Sequence, residues 1–303
     1  MDRKPTLYIL FTIDCGPVVS RNQTTGPRTW VSSARAIEGF CHRLASAGYP
    51  ATLFIAAASA EEHGPLFEEL PSRGFELGLH VHPPALDAAR YPRNLGEYGA
   101  EDQRAIVELA LDRFYDAVGV RPRSFRSGAF SANDATFGML FELGFRQASL
   151  SVPGRELPRE AVRWAGAELL PHYVDSSSRL RAGSLPLLEL PVTADPDHMY
   201  RPGYPYDLCI ENSSVEDWHR PLIEQHLERI APAPFQALCL FTHSGVAYHQ
   251  DSDRHSITVE QLFEYFDTLA ERYELVPTTL AGAHEHFRQL AAETIDQSVE
   301  IGE

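Results

Sequence analysis

The chain has 303 residues, and its 26 lysine and arginine side chains face 42 acidic ones, for a formal net charge of −16. Apolar residues make up 44% and charged residues 22%, which is ordinary for a globular protein with a large core. The negative charge argues against nucleic acid and anionic membranes as partners. We interpret this charge as a source of solubility, with steering of a cationic substrate as the alternative.

Cysteine usage and the amino-terminal sequence bear on the compartment. The four cysteines include no C-x-x-C pair, and their spacing suggests no disulfide framework. The first apolar run, Leu7–Ile13, is short for a signal peptide and has no cleavage site before Asp14. No stretch approaches the roughly 20 apolar residues of a membrane span. We therefore expect a cytoplasmic protein, and the sequence predicts no particular oligomeric state.

Short apolar runs alternate with amphipathic stretches along the chain. The runs are rich in Val, Ile, Leu, Phe and Thr, as buried strands are. The predicted strands are Leu7–Ile13, Ala51–Ala56, Glu76–His82, Ser124–Gly128, Phe145–Ser149, Leu187–Val192, Ala237–His243 and Glu274–Thr278. The predicted helices are Ser33–Ala47, Glu101–Val118, Ala132–Leu143, Ser256–Arg272 and Leu280–Thr294.

This alternation predicts an α/β fold with a parallel sheet. About seven or eight strands favour an irregular (β/α) barrel. An open doubly wound sheet is the alternative, but no Gly-rich dinucleotide loop follows the first strand. We expect one domain over residues 1–303, with a Pro- and Tyr-rich insertion around residues 196–234 that forms loops and one helix over the sheet end.

Polar side chains stand at the ends of several predicted strands, where parallel α/β folds place their active residues. They are Asp14, Cys15, His80, His82, Arg126 and His243. Residues i and i+2 of a strand face the same side, so His80 and His82 could converge on one metal ion. The ordinary alternative is a pair of hydrogen-bonded histidines at a strand end.

The other strand-end residues also have two interpretations each. Asp14 is either a turn residue before Gly16 or a site carboxylate, which Arg126 could keep ionised. Cys15 is either a small buried thiol or a thiolate ligand of zinc. His243 is either a buried histidine bonded to a backbone carbonyl or a general acid.

Taken in order, these segments resemble the polysaccharide deacetylase family, also called the NodB-homology or carbohydrate esterase family 4 group. The first motif, T-F-D-D-G-P in the family, reads Thr-Ile-Asp-Cys-Gly-Pro at residues 12–17. The second motif reads His-Val-His-Pro at residues 80–83, the shortened form of one branch. The resemblance extends over roughly Leu7 to Leu280, through the Ala-Thr-Leu-Phe-Ile, Phe-Arg-Ser-Gly-Ala-Phe and Leu-Glu-Leu-Pro-Val stretches.

The resemblance implies a role for each matching residue. Asp14 falls on the general base, Arg126 on the arginine that orients it, and His243 on the general acid. His80 and His82 fall on the two histidine ligands of a divalent metal, most plausibly zinc. Cys15 stands where the family has its aspartate ligand, so the implied triad departs from the pattern. Either Cys15 binds zinc, Asp14 takes over as ligand, or the site holds no metal.

The resemblance implies metal-assisted hydrolysis of an amide C–N bond, above all N-deacetylation of a sugar or sugar-derived metabolite. A small molecule or glycan precursor is the expected substrate. Hydrolysis of cyclic amides, imides or N-formyl sugars is an alternative within the same fold. The other alternative is a carbohydrate-binding or regulatory protein that has lost its metal and its activity.

Overall fold

The computed structural model describes residues 4–19, 26–212 and 214–300. Within these ranges the strands are β1 (Thr6–Cys15), β2 (Ala51–Ala56), β3 (Glu76–Val81), β4 (Ser124–Ser127), β5 (Gln147–Ala148), β6 (Glu156–Leu157), β7 (Val162–Arg163), β8 (His172–Val174), β9 (Leu185–Glu189), β10 (Ala194–Arg201), β11 (Tyr204–Asp207), β12 (Gln236–His243) and β13 (Glu274–Pro277). The α-helices are α1 (Trp30–Ser46), α2 (Ala57–Glu69), α3 (Pro83–Leu86), α4 (Ala100–Val118), α5 (Thr136–Glu142), α6 (Arg220–Ile230), α7 (Arg254–Leu269) and α8 (Leu280–Glu300).

The main sheet has nine strands, in the order β12-β1-β2-β3-β4-β5-β9-β8, with β13 paired to the first half of β1. Every ladder between these strands is parallel except that of β8 with β9. This near-sequential order curls the sheet into an irregular (β/α) barrel and confirms the predicted fold class. A doubly wound sheet would instead reverse its strand order near the middle.

Side chains of β1 alternate between the interior of the barrel and the surrounding helices, as a strand requires. Leu10 packs inside with Leu188 of β9 and Cys239 of β12. Phe11 points outward and meets Phe40 of α1 edge to face, at a centroid distance of 6.4 Å. This alternation decides which residues near the end of β1 reach the interior.

The barrel is bridged between β9 and β12 by the segment that follows β9. Thr193 donates its amide to the carbonyl of Cys239 over 3.1 Å, and its hydroxyl accepts the Cys239 amide over 3.0 Å. At the amino-terminal end of the barrel, the first turn of α8 packs against the sheet. The amides of Leu280 and Ala281 are capped by Thr52 and Glu76, respectively. In the described part of the chain, α8 thus covers the amino-terminal end of the barrel, and the carboxyl ends of the strands lie at the opposite end.

The predicted strands and helices fall on observed ones, with differences at their ends. The strand predicted over Phe145–Ser149 is reduced to the two residues of β5. Helix α2 was not predicted, because His63, Gly64 and Pro65 interrupt its pattern, and His63 indeed has non-helical dihedrals (φ −118°, ψ 23°).

The segment expected to form loops and one helix contains more regular structure than predicted. Strands β10 and β11 form an antiparallel hairpin there. A π-helical turn at Val215–His219 then leads into α6, which is the one expected helix. Among the described residues, no helix combines the length and apolarity that a membrane crossing requires.

Two helical glycines test how tightly α1 and α5 are packed. A Cβ at Gly39 of α1 would lie 2.4 Å from the amide nitrogen of His249, whereas a Cβ at Gly138 of α5 would find its nearest neighbour at 4.0 Å. We expect Gly39→Ala to destabilise the protein by about 1–3 kcal/mol, because backbone must move. Gly138→Ala, the matched control, should stabilise it by about 0.5–1 kcal/mol. Urea unfolding midpoints measure both, and equal shifts would contradict the packing described.

Candidate active site at the carboxyl ends of the strands

The ends of β1 and β12 place Asp14 and His243 side by side. The two residues are register partners in the parallel ladder between these strands. Asp14 is buried, with 5% of its surface exposed, and it shares the inward row of β1 with Thr12 and Leu10. The structure therefore brings these two sequence-predicted residues together at the open end of the barrel.

Arg126 lies fully buried inside the barrel at the end of β4. One of its terminal nitrogens, Nη1, donates to Oδ1 of Asp14 over 2.9 Å and to the hydroxyl of Thr12 over 2.8 Å. Its other two nitrogens donate to the carbonyl and hydroxyl of Ser149, over 3.0 and 2.8 Å. The guanidinium also lies 4.2 Å from the ring centroid of Phe54. These contacts hold both the arginine and the Asp14 carboxylate in one orientation.

The charge state of Asp14 follows from its neighbours. Burial alone would raise the pKa of this carboxyl, but the positive charge of Arg126, with a smaller contribution from protonated His243, outweighs burial and lowers the pKa. Asp14 is thus ionised at neutral pH. Its carboxylate is available as a proton acceptor.

The imidazoles of His80 and His82 converge as the sequence pattern predicts. Their Nε2 atoms lie 3.0 Å apart, and Nδ1 of His80 lies 3.0 Å from the backbone carbonyl of Arg126. Since that carbonyl only accepts, Nδ1 of His80 carries the proton and its Nε2 presents a lone pair. Burial lowers the pKa of both rings, that of His82 to about 3, so both are neutral.

A strained turn after β4 holds the His82 ring in place. A Cβ at Gly128 would lie 2.1 Å from Nδ1 of His82, so only glycine leaves room for the imidazole. The next two residues, Ala129 and Phe130, have positive φ angles of 55° and 60°. Such dihedrals are costly for side chains other than glycine and are often found at functional sites.

His243 has a partner that the sequence did not indicate. Its Nδ1 lies 2.7 Å from Oε1 of Glu211, which also accepts the His243 amide over 2.8 Å. Burial would lower the pKa of His243, but the charge and hydrogen bond of Glu211, aided by Asp14, raise it to about 9. The same pairing lowers the pKa of Glu211 despite its burial. His243 is therefore protonated at neutral pH, which suits a general acid.

The structure places Cys15, which the family pattern offers as a third metal ligand, in the core and away from Asp14. Cys15 is fully buried in the core with outward-facing residues of β1 such as Ile13 and with Cys41 of α1. Burial raises the pKa of its thiol well above the usual value, which disfavours a thiolate. Successive side chains of a strand face opposite sides, so Cys15 points away from the side that Asp14 occupies.

The residues present fit a divalent ion in part. Two neutral imidazoles with Nε2 atoms 3.0 Å apart are suitable metal ligands. The backbone carbonyl that accepts from Nδ1 of His80 fixes the tautomer of that ring, and metal-binding histidines commonly have such a hydrogen-bond partner. However, residues 4–19, 26–212 and 214–300 contain no group of three or more His, Cys, Asp or Glu side chains placed to hold a metal. The described residues thus supply two ligands for a divalent ion. Its other coordination positions would be filled by water, by substrate or by Asp14 after a shift of its side chain.

The comparison with known families agrees with this geometry. Residues 3–148 match the family model for polysaccharide deacetylase. Over these residues the chain is similar to the polysaccharide deacetylase family. The matched segment contains Asp14, His80, His82 and Arg126, and it ends before Glu211 and His243. The family's name states hydrolytic deacetylation of sugar polymers as its activity. A search of the curated proteins found no match.

Several solved structures share the deacetylase fold at low sequence identity. A candidate polysaccharide deacetylase from Mycobacterium smegmatis is 16% identical and has a TM-score of 0.62, with 95% of this chain and 92% of that chain covered. Another, from Pseudomonas aeruginosa PAO1, is 13% identical with a TM-score of 0.59, covering 93% and 91%. Puue allantoinase is 12% identical with a TM-score of 0.62, covering 93% and 90%. At these identities the likeness establishes the fold.

The pairing of His243 with Glu211 can be tested by titration. We expect Glu211→Gln to lower the pKa of His243 from about 9, because burial then acts against the protonated ring with only the Asp14 charge to oppose it. The imidazole resonance of His243, followed by NMR across pH 5–10, measures this change. Glu216→Gln, which removes an exposed carboxylate paired with Arg220, is the matched control. An unchanged titration of His243 in Glu211→Gln would contradict the assignment.

The same pKa shift predicts a pH dependence of stability. The folded pKa of about 9 lies above the unfolded value of about 6.5, so protonated His243 stabilises the fold fully below about pH 6.5. This contribution is lost as the pH rises through about 9. Urea midpoints should therefore fall between pH 7 and 9.5 more steeply in the wild type than in Glu211→Gln. Parallel pH profiles in the two proteins would overturn this expectation.

Proposed function

We propose that this protein hydrolyses an N-acetyl group from a sugar or sugar-derived metabolite at the open end of its barrel. The supporting observation is the opposite charge state of two register partners, Asp14 and His243. An ionised carboxylate beside a protonated imidazole provides a base and an acid for the two proton transfers of amide hydrolysis.

In the proposed reaction Asp14 accepts the proton of the attacking water. Arg126 holds Oδ1 of Asp14, which leaves Oδ2 to receive that proton. The new C–O bond converts the acetyl carbonyl into a tetrahedral intermediate. His243 then donates the proton on Nε2 to the sugar nitrogen as the C–N bond breaks, which releases acetate and a free amine. Glu211 keeps His243 protonated until this step.

We further propose that His80 and His82 bind a divalent ion, most plausibly zinc. Such an ion would polarise the acetyl oxygen and lower the pKa of a bound water. The convergent, neutral Nε2 atoms of the two rings support this assignment. Cys15 is not included, because it faces the core.

The alternative of an inactive carbohydrate-binding protein rests on cysteine in place of the family's ligand aspartate. That substitution lies in the apolar layer between β1 and α1, where Cys15→Asp would bury a carboxylate and destabilise the fold rather than restore a ligand. Asp14, Arg126 and His243, the residues of the proposed proton transfers, are all present. These observations favour the enzyme.

Replacement of the base tests the proton transfers. We expect Asp14→Asn to lower kcat by about 100-fold or more, since a positioned general base contributes about 10²–10⁴ in rate. The variant should remain folded, because the amide oxygen still accepts from Arg126. Acetate release from N-acetylated sugars measures the rate. Asp112→Asn, which removes an exposed carboxylate near Arg121, is the matched control and should retain full turnover. Full turnover in Asp14→Asn would refute the proposed base.

Removal of the paired imidazoles tests the metal. His80→Ala with His82→Ala should lower both the metal content of the purified protein, measured by elemental analysis, and the rate of acetate release. His284→Ala with His286→Ala removes the other His-x-His sequence, which lies on α8, and should change neither. The metal assignment fails if the first double variant keeps its metal content and its turnover.

A further inference from the structure

Two hydroxyl groups continue the pairing of His243 with Glu211 away from the catalytic centre. The hydroxyl of Thr242 lies 3.0 Å from Oε1 of Glu211 and 2.5 Å from the hydroxyl of Tyr248. The same Oε1 atom accepts both the amide and Nδ1 of His243. We call Tyr248, Thr242 and Glu211 the hydroxyl relay. It links the apolar layer between the sheet and α1 to the imidazole of His243.

The direction of the hydrogen bonds in the relay follows from the protons available. Burial would raise the pKa of Glu211, but its contacts with His243 lower it, so this carboxylate is ionised and only accepts. Thr242 therefore donates its single hydroxyl proton to Oε1, and its oxygen accepts from Tyr248. Tyr248 is fully buried, and among the described residues its hydroxyl bonds to Thr242 alone.

The geometry of β12 explains how one carboxylate contacts two consecutive residues. The side chains of Thr242 and His243 leave opposite faces of the strand. Thr242 faces the outer layer, where Tyr248 belongs to the same apolar core as Phe40 of α1. Glu211 lies at the end of the strand and bonds to both residues. The relay thus passes from the outer face of the sheet to the inner one.

The outer end of the relay is fixed by its surroundings. The Tyr248 ring packs against Phe40 at a centroid distance of 5.0 Å. The backbone carbonyl of Tyr248 accepts Nε of Arg43 over 2.8 Å, and its amide donates to the carbonyl of Val246 over 3.0 Å. A tyrosine held in this way offers Thr242 a donor at one constant position.

We propose that Tyr248 and Thr242 are positioning residues for the general acid of the deacetylation. They hold the Glu211 carboxylate in one orientation, and Glu211 in turn holds Nδ1 of His243, so Nε2 keeps one direction for its proton transfer. Hydrogen bonds in series strengthen one another, which makes the two hydroxyls interdependent. This inference rests on the proposed activity and adds to it two residues that touch no reacting atom.

Variants of unchanged shape remove each hydroxyl in turn. Thr242→Val should lower kcat for acetate release by about fivefold, as expected for one neutral hydrogen bond, with KM unchanged. Thr242→Ser keeps the hydroxyl and should stay within about twofold of wild type. Tyr248→Phe should lower kcat by about threefold, because Thr242 loses its donor. Tyr265 of α7 donates to Glu224 over 2.7 Å, so Tyr265→Phe is the matched control and should retain full kcat.

The double variant tests the order of the relay. If Tyr248 acts only through Thr242, Thr242→Val combined with Tyr248→Phe should be no slower than Thr242→Val alone. Losses in kcat that multiply in the double variant would show two independent effects and would overturn the relay. Full kcat in Thr242→Val would do the same.

The Nδ1 proton of His243 provides a measurement that needs no turnover. It lies in a 2.7 Å hydrogen bond with Glu211, and its exchange with water can be followed by NMR. Thr242→Val should speed this exchange by about threefold or more, and Tyr265→Phe should leave it unchanged. Unchanged exchange in Thr242→Val would overturn the relay, whether or not acetate is released. Faster exchange in a protein that releases no acetate from N-acetylated sugars would refute the proposed activity and leave the positioning of His243 standing.

Discussion

The buried guanidinium of Arg126 determines the arrangement of the whole centre. A charge placed inside a barrel is costly unless every donor is satisfied. Here Thr12, Asp14 and Ser149 satisfy it from two different strand ends, and the Phe54 ring covers its face. The carbonyl of the same residue orients His80. One side chain thus keeps the carboxylate ionised, while its own backbone fixes which nitrogen of His80 is free.

Charges in the centre are ordered in two neutral pairs, Arg126 with Asp14 and His243 with Glu211. The histidines of β3 stand between them without charge, because burial and the nearby cations lower their pKa values. This order places an ionised carboxylate beside a protonated imidazole without a large net charge in the interior. With the proton of His80 on Nδ1, the lone pair of its Nε2 faces Nε2 of His82 over 3.0 Å.

Much of this arrangement could be predicted, because strand periodicity and strand ends carry most of the information. The apolar runs located the parallel strands, and their carboxyl ends located Asp14, His80, His82, Arg126 and His243. The placement of Cys15 in the core follows from the same periodicity. The period of two that pairs His80 with His82 also assigns Cys15 to the same face as Ile13, away from Asp14. The family motif offers a metal ligand at this position, whereas strand periodicity places the thiol in the core.

Glu211 could not be found in the same way. It lies after β11 in an irregular segment, where no repeating pattern relates a residue to its spatial neighbours. Its contact with His243 is made across 32 positions of sequence. Helix α2 was missed for a related reason, since Gly64 and Pro65 mask a helix that tertiary packing maintains.

The position of Glu211 has an evolutionary consequence. The segment from β10 to the π-helical turn supplies both the carboxylate that pairs with His243 and a cluster of aromatic side chains. The base, its arginine and the histidine pair come from the other half of the chain. A change in this one segment would therefore alter the protonation of His243 and the aromatic cluster together. Such a change would leave the half of the chain that holds Asp14, Arg126 and the histidine pair as it is.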